Sequence, residues 1–224
     1  WLCRAFEFEG VSGANVRVTG RPVGRAVLNA DRAAARERFG ISPDASCLLV
    51  MGGSQGARTV NFAAVEGLAE RPGRDFGVIH VSGSRDYPQL RERLDAAPHT
   101  DGYTLLEYEP HMGDGIAASD LALARSGASV FELAALGRAA VLVPYPHATG
   151  DHQTANAEWM ADAGAAVVVP DADLDADRLL EEVESILGNP ARLEAMSKAS
   201  KALARPDAAA DVAAEVLALI GEKS

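Results

Sequence analysis

Cys47-Leu-Leu-Val-Met-Gly-Gly-Ser-Gln-Gly-Ala-Arg58 decides the fold class of this 224-residue chain. Its first five residues are apolar without alternation, as in a strand covered on both faces, which is the habit of parallel sheets flanked by helices. A turn of small residues follows, and then a helix-like stretch over 57–70. The same grammar returns at Leu121-Ala-Leu-Ala-Arg-Ser-Gly-Ala-Ser-Val-Phe-Glu132, where a short apolar run passes through small residues into a helical pattern. A strand that turns directly into a helix opens a βα unit, and repeated units make an α/β fold.

Working outward, strand and helix patterns alternate. Strands are expected over 76–81, 103–107, 139–144 and 165–169, with helices over Tyr87–Ala96, Met112–Ala118, 129–136 and 152–163. Three helical segments close the chain, at 175–187, 190–204 and 206–220. Upstream, 31–39 reads as a short charged helix stopped by Gly40 and Pro43. Residues 1–28 read as a connector ending in Val16-Arg-Val-Thr-Gly-Arg-Pro-Val23. The expectation is a doubly wound parallel sheet, Rossmann-like, over 29–224. Ligands bind such sheets at the carboxyl ends of the strands, where both small-residue turns fall.

Composition narrows the function. A net charge of −11 argues against a nucleic-acid backbone as main partner and against charge-driven binding to anionic lipid. The two cysteines, Cys3 and Cys47, make neither a disulfide framework nor a zinc site. No apolar stretch approaches the ~20 residues of a membrane span, and the start lacks the apolar core of a signal peptide. A reducing cytoplasm is the expected compartment. The chain begins with Trp1, so it reads as part of a longer protein.

The two turns suit a diphosphate. Gly53 and Gly56 let a ligand approach the backbone closely, and Ser54, beside Gln55, can donate to a phosphate oxygen. Ser126, Gly127, Ala128 and Ser129 open a helix whose end carries roughly half a positive charge. Glu132, about one turn in, can accept from two ribose hydroxyls, or it can merely complement its own helix dipole. A tight turn without a ligand is the competing reading for the first segment. Its spacing is neither Gly-x-Gly-x-x-Gly nor a Walker loop. In the polar stretch 143–156, Asp151 is expected to cap a helix whose first turn presents His152 and Gln153. Amides suit sugar hydroxyls, which need both donors and acceptors. Solvated loop histidines are the competing reading for His147 and His152, and His80 reads as structural. The site turns contain no Asp-x-Asp and no cluster of metal ligands, so no metal or cofactor is expected.

Four motifs, Thr-Gly-Arg-Pro-Val (19–23), Gly-Gly-Ser-Gln-Gly-Ala-Arg-x-x-Asn (52–61), Arg-Ser-Gly-Ala (125–128) and Asp-His-Gln-Thr-Ala-Asn-Ala (151–157), resemble those of the MurG family in kind and order. These are peptidoglycan N-acetylglucosaminyltransferases of the GT-B fold, and the resemblance runs from about Val16 to the C-terminus. It implies the C-terminal, donor-binding domain of an inverting, metal-independent enzyme. That enzyme moves GlcNAc from UDP-GlcNAc to the C4 hydroxyl of the lipid-linked MurNAc-pentapeptide, lipid I, giving lipid II. Carried onto this sequence, the loop of Gly53 and Ser54 and the helix end of Gly127, Ala128 and Ser129 would handle the diphosphate, and Glu132 the ribose. The backbone of 108–110, centred on Glu109, would frame uracil. Gln153, with His152 beside it, would meet the GlcNAc hydroxyls.

The family's N-terminal acceptor domain, with its general base and membrane-facing patch, lies outside this sequence. The chain alone is therefore expected to bind the donor and transfer poorly, and to meet the lipid acceptor only through that domain. The full-length protein is expected on the inner face of the plasma membrane. An exposed interdomain face admits self-association. Two departures stand out: Gly24 followed by Arg25 where the family has Arg directly after the proline motif, and a segment before Glu132 shorter by one residue. Rival readings are a UDP-sugar-binding subunit of a split transferase, a natural-product glycosyltransferase and a UDP-GlcNAc 2-epimerase.

Overall fold

A computed structural model describes residues 2–6, 13, 15–52 and 57–221. The chain opens with two short strands, β1 (Leu2–Arg4) and β2 (Val16–Val18), then α1 (Arg25–Leu28) and α2 (Arg32–Phe39). The βα alternation follows: β3 (Cys47–Met51), α3 (Arg58–Leu68), β4 (Gly77–Val81), α4 (Tyr87–Ala96), β5 (Tyr103–Leu106), α5 (Met112–Ala118), β6 (Leu121–Ala124) and α6 (Ser129–Ala135). It continues through β7 (Ala139–Leu142), α7 (His152–Asp162) and β8 (Ala166–Val168), and ends in α8 (Ala176–Leu187), α9 (Pro190–Ala202) and α10 (Ala208–Gly221).

Six of these strands form one parallel sheet in the order β5-β4-β3-β6-β7-β8. The chain thus winds outward from β3 in one direction, returns, and winds outward from β6 in the other. Side chains alternate across the sheet. Leu48, Val50, Val78, Leu121 and Leu123 pack with Leu68 of α3, Leu90 of α4 and Leu179 of α8. Leu49, Met51, Ile79, Ala122 and Leu142 pack with Ile116 of α5, Leu133 of α6 and Met160 of α7. Burial on both faces is the reason these strands show no polar alternation.

Local chemistry places several helix ends. Asp31 caps α2 by accepting from the Ala34 N–H at 2.8 Å, and Gly40 closes it in the left-handed region at φ 66°. Asp175 and Asn189 cap α8 and α9 in the same way. The segment expected to be a plain connector holds more order than that. β1 and β2 pair in parallel, and the Arg4 carbonyl accepts from the Thr19 and Gly20 amides at 3.1 and 3.0 Å. Gly20 sits against Arg205, where an added Cβ would lie 2.6 Å from the arginine side chain.

The amino end of the sheet is closed by charge. Asp120, just before β6, accepts from Arg32 at 2.5 Å, from Arg36 at 2.8 Å and from the Cys47 amide at 2.9 Å. Arg36 also donates to the Ser42, Pro43 and Ala45 carbonyls, so its buried guanidinium is fully used. Burial pushes the Cys47 thiol up to about 12, which leaves it a small apolar side chain in practice.

Candidate functional site

The register Met51↔Ala124 sets β3 beside β6, so the two strands end side by side at the carboxyl edge. The Arg125 amide reaches the Met51 carbonyl at 3.4 Å and ties the two strand ends together. This is the point at which the winding direction reverses, and a crevice opens there by topology. The cleft has a volume of about 260 Å³. Met51 and Val81 line its floor, Ser129 and Glu132 one wall, and the segment from Glu107 to Pro110 the opposite wall.

Of the expected site residues, Ser129, Glu132 and Glu109 meet in this cleft. Glu132, half-buried on the first turn of α6, has its carboxyl raised above the usual range by burial, an effect that the nearby Arg21 charge partly offsets. Ser126 is fully buried beneath the turn, and its Oγ has no hydrogen-bond partner among the described residues. Gly127 has open space where a side chain would stand. The Val130 and Phe131 amides are taken by a tight first turn, whereas those of Ala128 and Ser129 have no acceptor in the described backbone. Among the described residues, a buried hydroxyl and two amides are therefore left without a backbone partner at the head of α6. Gly53, Ser54 and Gln55 lie outside the described residues.

The role expected near Glu109 lies in the backbone of 108–110, and its side chain is engaged within the protein. Its carboxylate is buried and accepts from Arg38 at 2.6 Å and from the His111 amide at 2.7 Å. Only its main chain is left to serve a ligand. His152 and Gln153 do not line the cleft floor or walls. His152 is exposed at the start of α7, and Gln153 accepts from the Tyr145 amide at 3.0 Å, which holds the loop before it. Asp151 does not cap α7. It lies in the left-handed region at φ 53°, and its carboxylate accepts from the Thr154 hydroxyl at 2.6 Å. The preceding turn, with Gly150 also left-handed, delivers the chain to α7 at an angle that keeps the Asp151 side chain off the helix amides.

Several residues within the quoted motifs, to which no role was attached, hold the site together. Asn156 donates to the Ser126 and Gly127 carbonyls at 2.9 and 3.4 Å, locking the second turn to α7. Asn61, on α3, donates to the Ser82 carbonyl and to Asp86, both at 2.9 Å. Its Oδ1 meets His80 Nε2 at 3.0 Å, and His80 Nδ1 meets the Tyr103 hydroxyl at 2.7 Å. Burial lowers His80 to about 3, so it is a neutral hydrogen-bonding core residue, as its position in the strand suggested. Arg125 donates to the Val143 and Pro144 carbonyls and pairs with Asp171 at 2.5 Å, while Asp171 also accepts from Thr59 at 3.2 Å. That brace joins the ends of β6, β7 and β8 to α3. Both asparagines fall inside the quoted motifs, whereas Asp171 carries no local signal at all. Among the described residues no group of three or more His, Cys, Asp or Glu is arranged to hold a metal ion.

The sequence model of the glycosyltransferase family 28 C-terminal domain matches residues 47–212. The UDP-N-acetylglucosamine--N-acetylmuramyl-(pentapeptide) pyrophosphoryl-undecaprenol N-acetylglucosamine transferase of Salinibacter ruber is 43% identical over 90% of this chain and 54% of its own length. The protein of the same name from Chlorobium limicola is 38% identical over 91% of this chain and 55% of its own length. The crystal structure of Acinetobacter baumannii MurG superposes with a TM-score of 0.72 at 28% identity, covering 94% of this chain and 58% of that one. The chain thus spans about half the length of the curated relatives it matches. With the matched stretch running from β3 into α10 and including the cleft residues Met51, Ser129 and Glu132, this chain belongs to the glycosyltransferase family 28 C-terminal domain family.

Proposed function

We propose that this chain is the donor-binding half of an inverting glycosyltransferase that moves GlcNAc from UDP-GlcNAc to a lipid-linked MurNAc-pentapeptide. One observation carries the reading: Glu132, Ser129 and the 107–110 segment share a cleft at the switch point of the sheet. A nucleoside diphosphate fits that arrangement, with its base toward 107–110, its ribose hydroxyls donating to Glu132, and its diphosphate over the head of α6. The names and identities of the relatives from Salinibacter ruber and Chlorobium limicola support the sugar and the acceptor.

In this reading the acceptor hydroxyl attacks the anomeric carbon and UDP departs with growing negative charge. Donors that are fixed before the reaction stabilise such charge most effectively. The Ala128 and Ser129 amides and the Ser126 hydroxyl are the described groups positioned to supply them. The base that takes the acceptor's proton comes from the domain that this sequence does not include. The full-length protein works at the inner face of the plasma membrane as a peripheral enzyme; no described helix is long and apolar enough to cross a membrane. Leu217 and Ile220 on α10 are more than 60% exposed, which supports a face covered by another domain or a second copy.

Calorimetric titration with UDP-GlcNAc, UDP-glucose and dTDP-glucose, with and without EDTA, tests the proposal. Selective binding of UDP-GlcNAc that EDTA leaves unchanged is the expected result. A preference for dTDP-glucose would replace the reading with a natural-product transferase, and robust turnover of lipid I by the isolated chain would remove the need for a second domain.

A further inference from the structure

Arg38 lies outside the cleft lining, on the last turn of α2, yet it touches the cleft wall twice. Its Nη2 donates to Glu109 Oε2 at 2.6 Å and its Nη1 to Asp114 Oδ2 at 2.9 Å. Glu109 is only 4% exposed, and its other oxygen accepts the His111 N–H at 2.7 Å. Both carboxylate oxygens are thus engaged within the protein. Charge-assisted bonds of this kind are short and costly to break when one partner is buried. The guanidinium also rests 4.8 Å from the centre of the Phe39 ring, so its direction is fixed by packing as well as by charge.

The consequence lies in the main chain. The Tyr108 and Glu109 amides have no acceptor in the described backbone, and Pro110 has no N–H to offer. The wall therefore presents main-chain groups whose shape is held from behind by one arginine bridging two carboxylates. We propose that Arg38 is a positioning residue which, through Glu109, holds the 107–112 main chain in the shape that reads the edge of a pyrimidine base. This rests on the donor-site reading above and adds to it the origin of base selectivity. Uracil presents an N3–H donor between two carbonyl acceptors. Cytosine reverses part of that pattern, so a wall of fixed shape separates the two.

Titration of uridine, UDP and CDP into the wild type, Arg38→Met, Arg38→Lys and Asp114→Asn tests it, with urea unfolding to confirm that each variant is folded. Methionine keeps an unbranched apolar stem and removes both donors; lysine keeps the charge but cannot span both carboxylates. Arg38→Met is expected to weaken uridine and UDP by the same factor, about tenfold, and to carry the UDP-over-CDP preference toward unity. Arg38→Lys falls between it and the wild type, and Asp114→Asn, which leaves the Glu109 arm intact, stays within about twofold of the wild type. A general loss of stability would not change the ratio of UDP to CDP affinity. An Arg38→Met protein with wild-type selectivity overturns the inference while leaving the donor reading intact, as does one that loses UDP but keeps uridine. Should Arg38→Met fail to fold, wild-type selectivity in Arg38→Lys overturns it equally. A wild type that binds neither uridine nor UDP overturns both.

Discussion

The two ends of the sheet solve opposite problems with the same residue types. At the amino end, Asp120 is saturated by Arg32, Arg36 and the Cys47 amide, and Arg36 spends its remaining donors on loop carbonyls. At the carboxyl end, Glu132 stands half-buried with its carboxyl raised by desolvation, and Ser126 Oγ is buried with no partner among the described residues. Unpaired buried polarity costs stability. Arg138 Nε is also buried at the amino end without a partner among the described residues, so the contrast lies in the acids: Asp120 is paired within the folded chain, whereas Glu132 lines the cleft.

Substitutions should pull this contrast apart. The largest effect belongs to Asp120→Ala, which strands the buried Arg36 charge; chemical denaturation should record a loss of about 3–5 kcal/mol. UDP affinity of the folded fraction should not change, and a loss of affinity without a loss of stability would dissolve the distinction between the ends. Glu132→Ala should do the reverse. UDP binding falls by about tenfold to a hundredfold in calorimetry, as expected for losing hydrogen bonds to a charged acceptor, while the unfolding midpoint stays near the wild-type value. Ser126→Ala sharpens the comparison further. Removing a buried hydroxyl that has no partner leaves stability within about 1 kcal/mol or raises it, yet UDP binding weakens. A clear destabilisation in urea would mean that the hydroxyl is already spent within the folded chain.

The smallest effect is in pH. Because burial raises the Glu132 carboxyl above its ordinary value of 4.5, ionisation is harder in the folded state. Its stabilising contribution is complete below that value and is lost as pH rises through the raised one. Glu132→Gln should therefore melt higher than the wild type at neutral pH and match it in acid below 4.5. Equal melting curves at every pH would place Glu132 in water rather than in the cleft wall.

Much of this architecture could be read along the chain. Cys47–Met51, Tyr87–Ala96, Met112–Ala118 and Leu121–Ala124 are found with the limits expected of them, and other ends move by a residue or two, as at α6, which stops at Ala135. Periodicity and caps act within a dozen residues, so they survive whatever the rest of the chain does. Asp151 shows where that logic stops. Its residue type suits a cap, but the left-handed backbone imposed by the turn before it turns the side chain toward Thr154 instead. Glu109 shows the same limit at the site: its place in the cleft wall was legible, whereas the role of its side chain depended on an arginine 71 residues away.

By itself, the amino-acid sequence determined the βα alternation, the doubly wound class, the two small-residue turns and Glu132 one helical turn beyond the second. These depend on local hydrogen bonding and on which faces of each strand are apolar. Tertiary structure alone decided that β3 and β6 are neighbours, and hence that Met51 at the end of one and Ser129 and Glu132 beyond the other line one cleft. It also decided that Arg125 meets Asp171 and that Arg38 meets Glu109. A charge carries no mark of its partner along the chain. The pairing is chosen by the order in which strands dock, and that order follows from burying both faces of the sheet at once.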